Sequence, residues 1–349
     1  MSSSDKVVKL TSDFTSSEVF GKKGIGKGEF NASIGIAADS KGFVYVADTG
    51  NYRIQKFDSE GQFVSLIGAL GDDAGEFNSP YGIAVDSKGF VYVADTDNNR
   101  IQKFDLNEKY VASWSSAGGH LSQLNSPRGI AVDSHGSVYV ADTGNDVIEK
   151  FNSNGEYLGS LGSSGTHPGE FIWPSAIAVD PQGFVYVADT RNNRIQKFDS
   201  NAKFLDEWGS SGTHPGEFYL PRGVAVDSKG FVYVADTNNH RIQKFDSSHN
   251  FVPVQFSSND QENGFHSPEG IAVDSKGFVY VADTGNNRIQ KFDSNGKFLV
   301  RWGESGNYKG GLRFPSDLPV SSKGSDVYVY VADSENNRIG KYVQLEIRK

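Results

Sequence analysis

The pentapeptide Val-Tyr-Val-Ala-Asp occurs seven times in this chain, beginning at Val44, Val91, Val138, Val185, Val232, Val279 and Val329. The first six copies are 47 residues apart and the last step is 50. A strict period of this length marks a chain assembled from one supersecondary unit, which cannot bury its own faces alone and must stack on its neighbours. The repeat constrains fold and function together. Most side chains serve the unit, and only those that break it distinguish one part of the molecule from another.

The sixth copy shows what the unit is. Pro268-Glu-Gly-Ile-Ala-Val-Asp274 reads as a short buried strand, a, followed by a turn at Ser275-Lys-Gly277. Phe278-Val-Tyr-Val-Ala-Asp283 mixes β-branched and aromatic residues as a pleated strand does, and is strand b. Thr284-Gly-Asn-Asn287 is a turn cluster, Arg288-Ile-Gln-Lys-Phe292 strand c, Asp293-Ser-Asn-Gly296 a second turn, and Lys297 to Trp302 strand d. Four short meandering strands with no helical period form one blade of a β-propeller. Strand a is small and apolar, as crowding near an axis requires.

The sequence therefore predicts an all-β fold: a seven-bladed β-propeller of four-stranded antiparallel blades. Glu18-Val-Phe20-Gly21 falls in register with strand d, whereas the last unit, Pro315 to Tyr342, has no clear strand d of its own. The N-terminal strand is thus expected to complete the C-terminal blade and hide its edge. Residues 14–349 make one domain, with residues 1–13 an N-terminal arm or extra edge strand, since Lys6 to Leu10 also matches strand c. Three added residues near Ser325 imply a longer a–b turn or a bulge in the seventh unit. Gln255, beside Pro253, breaks the run of large residues in strand d (Phe20, Ile67, Trp114, Leu161, Trp208, Trp302), and the sixth copy is expected to carry the weakest outer strand. Those large residues are expected to pack between blades.

Composition narrows the function classes. The formal charge is −9, against the basic balance of most nucleic-acid binders. With no cysteine there is no disulfide, thiolate metal site or cysteine nucleophile. No apolar run reaches membrane-spanning length. The start, Met1-Ser-Ser-Ser-Asp-Lys6, lacks the apolar stretch of a signal peptide, so the chain is expected to stay inside the cell or to have lost a leader, and the compartment is open.

At Pro-x-Gly-Ile-Ala-Val-Asp and Val-Tyr-Val-Ala-Asp-Thr-x-Asn-x-Arg-Ile-Gln-Lys-Phe the chain resembles the NHL-repeat β-propeller family, over residues 14 to 343. That family includes RNA- and protein-binding modules of larger regulators, an extracellular sensor domain of a bacterial kinase, and a zinc- and calcium-dependent amidating lyase. Most of its propellers have six blades, so seven copies depart from the usual count. The resemblance implies the fold strongly and leaves the function open.

Candidate chemistry follows the repeat. Asp48 with Arg53, Asp95 with Arg100, Asp189 with Arg194, Asp236 with Arg241, Asp283 with Arg288 and Asp333 with Arg338 flank the b–c turns. Each Asp is expected to cap its turn and hold the Arg across the hairpin in a bidentate pair. The third copy has Val147 in place of the Arg, so Asp142 should sit in a looser blade or a turn held differently. Asp39, Asp86, Asp133, Asp180, Asp227 and Asp274 end strand a, where a turn-starting carboxylate bonds its own backbone. His167 and His214 share one register in twin Gly-Thr-His-Pro-Gly-Glu-Phe loops and are weak metal candidates beside Glu170 and Glu217; no metal or other cofactor is expected. The Arg-x-x-Lys of strand c is expected to serve salt bridges within blades.

The positions beside the repeated Pro vary on an otherwise constant frame, which is where a binding face would be written. With the b–c turns they give Tyr81, Arg128, Trp173, Arg191, Tyr219, Arg222, His240 and Glu269 as a candidate face. The expected function is a non-catalytic binding scaffold, a monomer presenting that face to a protein or peptide and not to a membrane. A small-ligand or divalent-ion enzyme or sensor at the channel mouth, lyase- or lactonase-like, is the alternative. Single-stranded RNA binding is the third and is disfavoured by charge.

Overall fold

The structure, a computed structural model, describes residues 16–115, 123–254, 256, 264–308, 310–323 and 326–344. Seven four-stranded antiparallel sheets form a closed ring, with strand a beside strand a from the first blade to the sixth and strand a of the first blade against strand b of the seventh across the seam. The second blade is representative: a is Pro80–Val85, b Val91–Asp95, c Arg100–Phe104 and d Tyr110–Trp114. No helix among the described residues is long and apolar enough to cross a membrane.

Strand b is buried along its whole length because both of its faces pack. Its period of two sends Tyr and Ala to the next blade and the two Val to the previous one. Thus Tyr45 and Ala47 meet Val91 and Val93, while Val44 and Val46 meet Tyr330 and Ala332 across the seam of the ring. Each Val of this kind, fully buried, contributes roughly 2 kcal/mol, and the pattern recurs at every interface. The large strand d residues also sit between blades, as expected: Trp114 lies 5.8 Å from Phe151 and Trp208 5.8 Å from Phe245.

Ring closure follows the expected route. Ser16–Phe20 is the outer strand of the seventh blade, paired with Arg338–Gln344 in register Phe20↔Ile339. Phe20 then packs with its ring centroid 4.7 Å from that of Phe57 of the first blade, in the role Trp plays elsewhere. Lys6 to Leu10 lies outside the described residues. Among the described residues the a–b pairing of the seventh unit is longer and has no bulge, Val320–Lys323 running in continuous register with Asp326–Asp333 as far as Lys323↔Asp326. The weakest outer strand belongs to the fifth copy and not the sixth. It is Phe251–Val252, cut short where Pro253 removes a ladder donor, whereas Phe298–Trp302 of the sixth keeps five residues.

Polar clasps set the blades' relative positions. Thr96 Oγ1 donates to Pro127 O of the next blade at 2.8 Å, and the same bond joins Thr190 to Pro221 and Thr284 to Pro315. The lysines of strand c also work between blades: Lys103 Nζ reaches Ser153 O at 2.6 Å and lies 3.9 Å from the Phe90 ring centroid. For Lys103 the expected salt bridge within the blade gives way to a carbonyl and an aromatic face, whereas the Arg of the same strand pairs with Asp95 of its own blade and Lys341 Nζ meets Glu18 Oε2 at 2.9 Å within the seventh sheet.

Candidate functional site

Six of the seven b–c turns are stapled by an Asp–Arg pair. Arg53 Nε donates to Asp48 Oδ2 at 2.7 Å, and the same pair spans 2.7 Å at Asp95–Arg100, 2.8 Å at Asp189–Arg194, 2.7 Å at Asp236–Arg241, and 2.6 Å at both Asp283–Arg288 and Asp333–Arg338. The pairing differs from the expected fork in one respect. Only Nε meets the carboxylate, while the terminal nitrogens bind carbonyls of the d–a loop: Arg53 reaches Ile25 O, Gly26 O and Glu29 O at 2.7 Å each. Asp48 does not cap its own turn by a side-chain bond to the backbone. Its Oδ1 accepts the Asn31 N–H at 2.7 Å, so pair and loop form one unit. The strand a aspartates do bond their own turn, Asp86 Oδ1 accepting from Lys88 and Phe90 N–H.

The third blade keeps its strand pairing through Asp142↔Val147 and changes its electrostatics. Val147 replaces the Arg and Glu149 the usual Gln, and Asp142 and Glu149 are both buried. Asp142 retains the Asn125 N–H at 2.6 Å and the Asn145 amide at 2.7 Å. Burial pushes its carboxyl up to about 7, with Glu149 and Asp146 adding to the shift. Glu149, also raised by burial, accepts from Ser160 Oγ at 2.8 Å.

His167 and His214 are exposed, each with Nδ1 3.0 Å from the Glu three residues on. Those pairs fold a loop on themselves and converge on no third ligand. Among the described residues no group of three His, Cys, Asp or Glu is placed to hold a metal ion.

The variable positions come together where the strands a end. Ile34, Tyr81, Arg128, Ser175, Arg222, Glu269 and Ser316 follow the repeated Pro position and line a basin of about 480 Å³ at one mouth of the channel. Trp173 and Arg191 complete its wall. Neighbouring a strands approach closely at the Gly of Pro-x-Gly. A Cβ on Gly82 would lie 1.9 Å from Arg128 O, and one on Gly223 2.1 Å from Glu269 O. Arg128 stands between two rings, its guanidinium carbon 5.3 Å from the centroids of both Tyr81 and Trp173. Arg191 lies 4.1 Å from the Trp173 centroid. Arg222 Nη1 pairs with Glu269 Oε1 at 3.0 Å. Burial raises the Glu269 carboxyl, and Arg222 opposes that shift.

Two candidates stand outside this basin. Tyr219 is half exposed on the d–a loop. His240 is a clasp: its Nδ1 accepts the Ser267 N–H at 2.9 Å, the bond that Asn99 and Asn193 make to Ser126 and Leu220 in other blades. The sequence reading missed Asp317, which also lines the basin. Its signal was the loss of Gly from Pro-x-Gly in the seventh copy. Asp317 bridges the seam by accepting the Ile36 N–H at 3.2 Å, and burial pushes its carboxyl up to about 6.

The description NHL repeat matches residues 34–57, 77–104, 124–149, 171–198, 218–245 and 265–292. The chain belongs to the NHL-repeat β-propeller family. Stretches of it are 50% identical over 46 residues to Protein lin-41 of Caenorhabditis elegans, 13% of this chain and 4% of that protein. NHL repeat-containing protein 3 of Homo sapiens is 41% identical over 56 residues, 16% of each chain. The chain thus spans only a small part of the length of these relatives. In fold it is similar to virginiamycin B lyase from Staphylococcus aureus, with TM-score 0.69 at 15% identity over 90% of this chain and 96% of that one. A catalytically inactive form of that lyase, solved with quinupristin, gives TM-score 0.71 at 15% identity over 95% and 100% of the two chains. At that identity the likeness shows the fold alone.

Proposed function

We propose that this NHL propeller is a non-catalytic scaffold that holds a protein or peptide segment across the channel mouth. One observation carries the reading. The positions that follow the repeated Pro vary from blade to blade and line one basin with Trp173 and Arg191, while the repeated strands hold the ring around it. A recess with aromatic sides and a few fixed polar groups suits a bound segment. The ring around it is preorganised, so little ordering is needed on binding.

The test is selection of binders from a random peptide library on the immobilised protein. Enriched peptides should lose affinity to Ser175→Trp, which fills the mouth, and keep it with Lys88→Glu on the a–b turns of the opposite end. Peptides indifferent to Ser175→Trp would contradict the assignment of this face.

A further inference from the structure

We infer that the mouth recognises an acidic side chain of an extended peptide, clamped by Arg128 and Arg191 on the two aromatic residues Tyr81 and Trp173. This deepens the scaffold reading and rests on it. Five charged side chains line the basin: Arg128, Arg191, Arg222, Glu269 and Asp317. Arg222 and Glu269 neutralise each other at 3.0 Å. Asp317 is turned to backbone N–H groups, accepting from Ile36 at 3.2 Å and Leu318 at 2.8 Å. Arg128 and Arg191 form no ion pair among the described residues, in a protein whose formal charge is −9. The Nε of Arg128 is buried with no hydrogen-bond partner.

An unpaired guanidinium held by rings on two sides has lost its rotamer freedom before any ligand arrives. Its planar donor fork is then free to meet a carboxylate edge-on. Trp173 has φ +56, the left-handed conformation that this position takes in every copy, from Ala32 to Phe314, so the repeat's own loop sets where the indole stands. The Trp173 backbone N–H is fixed there by Asp146 Oδ1 at 2.7 Å. Across the mouth the basin runs on into a second hollow of about 580 Å³, with Ala32, Ile34 and half-exposed Phe314 in its wall. The combined groove has the two unpaired arginines at one end and, at the other, the apolar Ala32, Ile34 and Phe314 beside Glu335, which Arg313 neutralises at 3.0 Å. It therefore suits a segment that crosses the mouth with an acidic residue toward Trp173 and an apolar one toward Phe314.

The probes are acetylated and amidated octapeptides with two glutamates near one end and a phenylalanine near the other. Their glutamine counterparts, the glutamine peptide with a free carboxylate terminus, and a uridine decanucleotide complete the set. Calorimetry and tryptophan fluorescence are followed at low and high salt. The glutamate peptide should bind about tenfold or more tighter than the glutamine one. Arg128→Lys and Arg191→Ala should each remove most of that preference, and the double variant Arg222→Ala/Glu269→Gln, which removes the neutral pair together, should not. Arg128→Lys keeps the charge and loses only the fork, so it guards against a folding artefact, which thermal unfolding also checks. Equal affinity of glutamate and glutamine peptides overturns the inference and leaves docking at the mouth intact. Preference for the free terminus, or tighter binding of the oligonucleotide, overturns it too. If library-selected peptides bind the mouth and glutamate peptides do not, only this inference fails; if neither binds, the scaffold reading fails with it.

Discussion

The third blade offers the sharpest test of how the repeat stores stability. In the second blade, Asp95 receives Arg100 at 2.7 Å and the Gln102 amide at 3.0 Å. In the third, Val147 supplies nothing and Glu149 adds a second buried acid beside Asp142. Unfolded, Asp142 titrates near its ordinary value of 3.8; folded, it holds its proton up to about 7. The folded state therefore binds more protons between those limits, and stability falls as pH rises through the window, with the full cost present above it. At 1.36 kcal/mol per pH unit, a window of about three units corresponds to roughly 4 kcal/mol. Glu149, raised in the same direction, acts with the same sign. Glu149→Gln removes one charge and restores the repeat's own amide donor to the Asp142 carboxylate. It should stabilise the protein by about 1–3 kcal/mol at pH 8 and by little at pH 4.5. The assay is reversible urea unfolding of both proteins across that range, compared by difference so that other titrations cancel. Adding Val147→Arg should extend the gain at high pH. A gain equal at both pH values, or a loss at pH 8, would refute the reasoning.

Three further outcomes follow from the same geometry. Arg100→Ala leaves Asp95 buried without its cation and takes one donor each from the carbonyls of Asp72, Asp73 and Glu76, and should cost about 3–5 kcal/mol in urea unfolding; Arg100→Lys should recover less than half of it. Gly82→Ala forces a methyl toward Arg128 O and should cost at least about 2 kcal/mol, whereas Ala176→Gly, which returns the fourth blade to the repeat, should change stability by about 1 kcal/mol or less, both read from thermal midpoints. Deleting residues 1–20 strips the outer strand from Arg338–Gln344 and exposes its edge, so the shortened protein should unfold at lower urea and self-associate with concentration in sedimentation.

The architecture was legible because each blade repeats its own instructions. Pro, Gly and Asp at fixed offsets, with Val-Tyr-Val-Ala-Asp between them, give blade, count and closure. Departures from the repeat were legible as positions and not as geometry. Trp173 and Arg128 belong to different blades, and only the ring's curvature brings the guanidinium between the indole and Tyr81. The Arg of six b–c turns lies beside its Asp, yet the terminal nitrogens of Arg53 serve carbonyls more than twenty residues away, a long-range partner that spacing within a hairpin cannot indicate. His240 stood out as an unusual residue in a turn of asparagines, and the structure gives it the asparagine's task. Asp317 was overlooked because a lost glycine is a quieter signal than a gained aromatic, although at the axis it changes which groups can meet.

The most direct test of the scaffold account is a crystal structure of the protein bound to the tightest peptide from an unbiased library. The account predicts the peptide lying across the channel mouth, with Arg128 and Trp173 in contact with it and the blades unmoved. A peptide seated on the outer strands d or on the a–b turns of the opposite end, with the mouth open to solvent, would contradict it.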